Sequence, residues 1–107
     1  MTPGQALLAA LGGATYASIF LGRINDVGSN ALEVIQQTSS LFKRSGFQTK
    51  IIVGSIRVVT QITEAGLAGA DIVTVPPKFF SQLAHHPQTE KTIQEFLEAW
   101  GASKTPA

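Results

Sequence analysis

The stretch "SIFLGRINDVG", residues 18–28, joins two patterns that decide the class of fold. It ends an apolar, strand-like run that begins at residue 15, and it continues into a polar segment of turn-forming residues. We therefore predict a strand over 15–21 and a loop over 22–29. An arginine, Arg23, follows this buried strand at once, which suggests that the end of the strand faces an anion.

Strand-like and helix-like segments alternate along the whole chain. The predicted strands cover 15–21, 50–56 and 71–75, and the predicted helices cover 5–11, 31–45, 59–67, 78–84 and 89–100. Two of the helix starts carry capping signals, Thr2-Pro3 and Asn30 with Glu33, and Gly46 ends the longest internal helix. The order α-β-α-β-α-β-α-α predicts an α/β fold with a parallel sheet, an arrangement shared by barrels and doubly wound sheets.

Composition limits the classes of function. The chain has 107 residues, enough for one domain, and its net charge of +1 provides no global field that would attract nucleic acid or anionic lipid. It contains no cysteine, and only 14% of its residues are charged. The uncharged first 22 residues lack the basic start of a signal peptide, and Gly12-Gly13 interrupts them. We therefore expect no membrane partner and a cytoplasmic location.

Side-chain alternation predicts a ligand-binding edge of the sheet. We expect Ser18, Ser55 and Thr74 at similar heights on one face, with Ile51 and Val53 below Ser55, while the opposite face packs under helices. Since parallel α/β folds bind ligands at the carboxyl ends of their strands, these hydroxyls would lie beneath the arginines.

Arg23 and Arg57 follow two neighbouring predicted strands, and arginine donates bidentately to phosphate oxygens. The pattern favours a phosphate site. The alternative is that the arginines are ordinary surface charges and that the hydroxyls bond to the backbone.

Several ordered motifs resemble one enzyme family. "SIFLGRINDVG" resembles the sixth-strand segment of transaldolases, and residues 54–100 are similar to the seventh strand through the C-terminal helix of the small transaldolase and fructose-6-phosphate aldolase branch. The resemblance covers nearly the whole chain. It implies that residues 1–107 form a single partial (β/α)₈ TIM-barrel unit of strands six to eight, and that the C-terminal amphipathic helix, 88–101, packs on a neighbouring subunit.

The resemblance also implies roles for five residues. It places Arg23, Ser55 and Arg57 on the phosphate ligands of the family and Ser18 on a pocket serine that contacts substrate. Phe20 stands where transaldolases keep phenylalanine and the aldolase branch keeps tyrosine. The implied ligand is a sugar phosphate of the pentose phosphate pathway.

The resemblance places the Schiff-base lysine of the family on strand four, before the part that this chain matches. Lys78 alone lies near the predicted rim, and the family tolerates lysine there without using it as the nucleophile. We therefore predict no catalytic residue and no cofactor. We also predict no metal site at His85-His86, because adjacent helix residues diverge and no third ligand is near.

Two functions follow as expectations. The first is a transaldolase-like chain that keeps the phosphate half of the site and is inactive by itself. The second is a non-catalytic assembly module that forms a homo-oligomer or completes a barrel with a partner chain, because three strands leave two sheet edges and one apolar face uncovered. A doubly wound phosphate-binding domain is a third reading, weakened by the absence of a glycine-rich loop directly after a strand.

Overall fold

A computed structural model of the chain describes residues 1–84 and 87–104, with side chains up to residue 101. The first compact unit is Met1–Pro77 and the second begins at Lys78. The elements in chain order are α1 (Pro3–Leu11), β1 (Tyr16–Phe20), α2 (Leu21–Asp26), α3 (Ala31–Ser45), β2 (Lys50–Gly54), α4 (Thr60–Ala68), β3 (Ile72–Val73), α5 (Lys78–Ala84) and α6 (Pro87–Lys104).

The first unit contains a three-stranded parallel sheet in the order β1-β2-β3. The central strand, β2, pairs Ile52 with both Ser18 and Ile72, and it pairs Val53 with both Ile19 and Val73. Three parallel strands alternating with helices confirm the predicted α/β class, and all the carboxyl ends of the strands lie at one edge.

The prediction for the two faces of β2 was wrong by one residue. Ile51 and Val53 are buried beside Ala17 and Ile19 on the face that the helices cover. The segment "KIIVG" is apolar at consecutive positions, so alternation cannot say which side chains point inward. The pairing with β1 fixes which side chains of β2 point inward. Tyr16 pairs with Lys50, so Ile51 pairs with Ala17 and shares its face of the sheet.

The opposite face of the sheet is open among the described residues. Tyr16, Phe20 and Ile72 there are 52%, 41% and 40% exposed. Ile52, half-buried, belongs to this face in place of Ile51 and Val53. The open face is therefore apolar, but it carries fewer large apolar side chains than the sequence predicted.

The prediction of a loop after β1 was also wrong, since residues 21–26 form the short helix α2. Leu21 and Ile24 are fully buried one turn apart, and their burial favours helix over the extended loop that the polar residues suggested. The side chain of Asn25 accepts a hydrogen bond from the N–H of Ala31 at 3.1 Å, which holds the turn between α2 and α3. Tertiary packing thus outweighs local propensity here.

The long helix α3 agrees with its sequence signals. The side chain of Asn30 accepts from the N–H of Glu33, and Gly46 closes the helix in the left-handed conformation. The buried stripe is Ala31, Ile35, Thr38, Ser39 and Phe42, whereas the apolar residues Val34 and Leu41 beside it are only half-buried.

The strands are shorter than predicted, and β3 has only two residues. Two side chains that flank β3 add hydrogen bonds to β2. The Asp71 carboxylate accepts from the N–H of Ile51 at 2.8 Å, and the Thr74 hydroxyl donates to the carbonyl of Val53 at 3.3 Å. The backbone N–H of Thr74 donates to the same carbonyl at 2.9 Å.

The second unit contains α5 and α6. The last helix begins two residues earlier than the predicted 89–100 and extends to Lys104. The large apolar side chains of this helix are exposed: Ile93, Phe96, Leu97 and Trp100. Packing of this helix on a neighbouring subunit stays a prediction. Among the helices described over residues 1–84 and 87–104, none combines the length and the apolarity needed to cross a membrane.

The contact between α3 and α4 gives the first testable prediction. Gly69 ends α4 at a φ of 116°, and a Cβ there would overlap the side chain of buried Ser39. Gly69→Ala should therefore lower the free energy of unfolding by about 1–3 kcal/mol, measured by urea denaturation with circular dichroism. Gly66→Ala is the matched control, because it sits inside α4 with open space around it and should stabilise by about 0.5–1 kcal/mol. Equal midpoints for the two variants would contradict this packing.

Candidate functional site

The carboxyl ends of β1 and β2 meet where α2 begins. The N–H of Gly22 donates to the carbonyl of Ser55 at 3.0 Å. A Cβ on Gly22 would lie 2.5 Å from Nε of Arg57, 2.6 Å from the Ser55 carbonyl oxygen and 2.8 Å from its Oγ. Only glycine fits this approach, and it places Arg23, the next residue, at the same edge as Arg57.

Ser55 leaves the strand in a strained conformation. Its φ is 60°, the one positive value found at a non-glycine position among the described residues. A left-handed serine costs about 1–3 kcal/mol, and such residues cluster at ligand sites. The turn ends β2 at Gly54, so Ser55 no longer follows strand alternation.

Arg57 lies half-exposed beyond that turn and pairs with Asp26 of α2. Its Nη1 donates to Oδ1 of Asp26, with side chains 51% and 52% exposed. The hydrogen bond from Arg57 lowers the pKa of the Asp26 carboxyl; desolvation opposes this shift, and the positive charge of Arg57 adds to it. The same bond raises the pKa of Arg57. Sequence reasoning missed Asp26, although its position three residues after Arg23 would have placed both on one side of a helix.

Arg23 is positioned by an aromatic ring. Its guanidinium carbon lies 5.2 Å from the centroid of the Phe20 ring, within cation–π distance. Phe20 is the last residue of β1 and points to the open face. The ring therefore holds one arginine at the end of β1, while Asp26 holds the other at the end of β2.

The hydroxyls are not grouped as predicted. A Cβ on Gly54 would lie 3.3 Å from Oγ1 of Thr74 and 3.9 Å from the Phe20 ring, so these three residues share one level of the open face. Ser18 lies two residues nearer the amino end, level with Ile52, and Ser55 lies beyond the strand. The structure thus places Ser55 and Arg57 against Gly22 of α2, and Arg23 follows Gly22 in the same helix. Phe20 lies beside Arg23, and Ser18 lies further down the sheet.

The described lysines of the first unit, Lys43 and Lys50, lie away from this edge. Lys50 begins β2 at the opposite end of the sheet, where it lines a cavity of about 180 Å³ with Lys43 and Asp71. Lys78 belongs to the second unit, with its Nζ 5.1 Å from the Phe79 ring centroid. His85-His86 lies outside the described residues, and no cluster of three metal-ligating side chains occurs within the part that is described.

Comparison with known proteins identifies related chains. The model of the family described as Transaldolase/Fructose-6-phosphate aldolase matches residues 1–105. A probable transaldolase of Geobacillus kaustophilus is 50% identical over 103 residues, which cover 96% of this chain and 48% of the relative. Probable transaldolases of Bartonella bacilliformis and Caulobacter sp. are 48% and 42% identical, covering 90% and 95% of this chain but 44% and 47% of the relatives. The chain therefore spans about half the length of the curated relatives that it matches.

The Asp26–Arg57 pair predicts a pH dependence. Because the folded pKa of Asp26 is lowered from its ordinary value of 3.8, the pair contributes stability above that value and loses it as the pH falls through the lowered pKa. Arg57→Gln should raise the pKa of Asp26 towards 3.8, followed by NMR of the carboxyl group between about pH 2 and about pH 6. Arg44→Gln, at the far end of α3, is the control and should leave that titration unchanged. An unshifted Asp26 in Arg57→Gln would show that the pair does not form in solution.

Proposed function

The chain belongs to the transaldolase/fructose-6-phosphate aldolase family, and from this premise we propose that it supplies the phosphate-binding part of an aldol-transfer site for sugar phosphates. The observation that carries the proposal is that Nε of Arg57 packs against Gly22, the residue directly before Arg23, so that both arginines belong to the carboxyl edge of the sheet. Parallel α/β folds bind ligands at this edge, and the alternating parallel architecture is compatible with one partial (β/α)₈ barrel unit over 1–107.

The proposed roles follow from the donors at the edge. The guanidinium groups of Arg23 and Arg57 bind phosphate oxygens through charge-assisted hydrogen bonds, and the Ser55 hydroxyl beside them adds a neutral donor. Phe20 and Ser18, on the open face below, contact the sugar. The ligand class is a phosphorylated sugar of the pentose phosphate pathway, acted on in the cytoplasm.

The aldol chemistry itself needs an amine that the described part of this chain does not offer. A Schiff-base lysine is neutral at working pH because it is desolvated. The described lysine side chains, Lys43, Lys50, Lys78 and Lys91, are all exposed. We propose that the nucleophile lies on strands outside these 107 residues and that the chain by itself binds sugar phosphate without turning it over.

The arginines provide the decisive test. Arg23→Ala and Arg57→Ala should each weaken the binding of fructose 6-phosphate by about tenfold to a hundredfold, because each removes charge-assisted hydrogen bonds to the phosphate. Binding is measured by NMR titration of the backbone N–H signals of residues 18–26 and 54–58.

Arg44→Ala is the matched control, since it removes the same charge from the far end of α3 and should leave binding unchanged. Equal affinity in Arg23→Ala, Arg57→Ala and the unchanged protein would overturn the proposal. Borohydride treatment with fructose 6-phosphate should leave the intact mass unaltered, and a stable lysine adduct would show that this chain carries its own nucleophile.

A second candidate function is assembly, favoured by the open face of the sheet. Tyr16, Phe20 and Ile72 are exposed apolar side chains on one face, and β1 and β3 are both edge strands. This surface fits a second copy of the chain or a partner chain that completes a barrel, with α6 as a further contact on a neighbouring subunit.

Assembly predicts self-association at micromolar concentration, measured by light scattering. Ile72→Glu should shift the chain towards monomer, because it places a charge in the apolar face of the sheet. Leu67→Glu on the outer side of α4 is the control, as Leu67 is fully solvated and should not alter the mass. A monomer in the unchanged protein would contradict this candidate, and self-association without any phosphate binding would favour it over the first.

A further inference from the structure

The guanidinium of Arg57 already has an anion in the folded chain. Its Nη1 donates to the Asp26 carboxylate, which belongs to the same short helix as Arg23. A phosphate that binds Arg57 therefore meets a carboxylate, which repels it and competes for the same donor.

The donor geometry of Arg57 limits the ways around this competition. An arginine binds phosphate bidentately either through its two terminal nitrogens or through Nε and one terminal nitrogen. Nε lies against Gly22, where a Cβ would be 2.5 Å away, so the chain itself shields that edge. The edge formed by the terminal nitrogens includes Nη1, which Asp26 occupies.

The helix that carries Asp26 cannot simply move aside. Its first turn is fixed by the hydrogen bond from Gly22 to Ser55 and by the burial of Leu21 and Ile24. The Asp26 side chain, in contrast, is half-exposed, so it can rotate into solvent. Displacement of the carboxylate therefore needs a rotamer change and no movement of the sheet.

We infer that Asp26 sets the affinity of this site for phosphate. Its carboxylate binds Arg57 in place of a ligand, and a phosphate group binds the two terminal nitrogens of that guanidinium only by displacing the carboxylate. The inference rests on the proposed phosphate site and adds a specific competitor to it. A consequence is selectivity by charge, because a dianionic phosphate competes with the carboxylate better than a singly charged carboxylate ligand does.

Asp26→Asn tests this directly, since it removes the charge and keeps the size of the side chain. Inorganic phosphate should bind about three- to tenfold more tightly to the variant, as expected for the loss of one like charge a few ångströms away at an exposed site. The gain should vanish in Asp26→Asn/Arg57→Ala, and it should shrink at about 1 M salt, where the screening length is about 3 Å.

Two further variants separate the competing explanations. Glu64→Gln makes the same change in net charge on α4 and should leave phosphate affinity unaltered, while Asp26→Ser should reproduce the gain of Asp26→Asn. Equal gains in Glu64→Gln, or weaker phosphate binding in both Asp26 variants, would overturn the inference. If Arg57→Ala weakens binding and the Asp26 variants do not tighten it, only the competition fails. If neither arginine affects binding, the proposed site fails and the competition fails with it.

Discussion

The close approach of Gly22 to the end of β2 is the constraint on which the rest of the edge depends. A backbone hydrogen bond to Ser55 joins α2 to the turn after β2, and the missing side chain leaves room for Nε of Arg57. This contact brings two segments that are distant in the sequence, around Gly22 and around Ser55, onto one surface. Any Cβ at Gly22 would meet a backbone carbonyl, which cannot rotate away as a flexible side chain could.

Electrostatics then act on a surface whose positive groups are held by different partners. The Phe20 ring holds Arg23 without neutralising it, so its full charge is available to a ligand. Asp26 holds Arg57 and offsets part of its charge. The carboxyl edge of the sheet therefore carries one arginine that stacks on a ring, Arg23, and one that is paired with a carboxylate, Arg57. In the proposed phosphate site, such a surface would favour a strongly charged anion over a weakly charged one.

Sequence reasoning succeeded where local signals and tertiary packing agree. The capping residue Thr2 marks the start of α1, and Asn30 and Gly46 mark both limits of α3, because each satisfies or terminates the helix backbone locally. It failed at α2, where polar residues suggest a loop but buried Leu21 and Ile24 impose a helix. Asp26 was missed because its partner, Arg57, is 31 residues away in sequence.

The sequence by itself determined the α/β class, the parallel order of the strands, the family and the position of both arginines after strands, because periodicity and motif order are local properties. Only the tertiary structure decided which residues of the all-apolar β2 point inward, since pairing with β1 sets that choice. It alone decided that Arg57 faces Asp26. Both depend on contacts between residues that are about 30 positions apart, which no local pattern specifies.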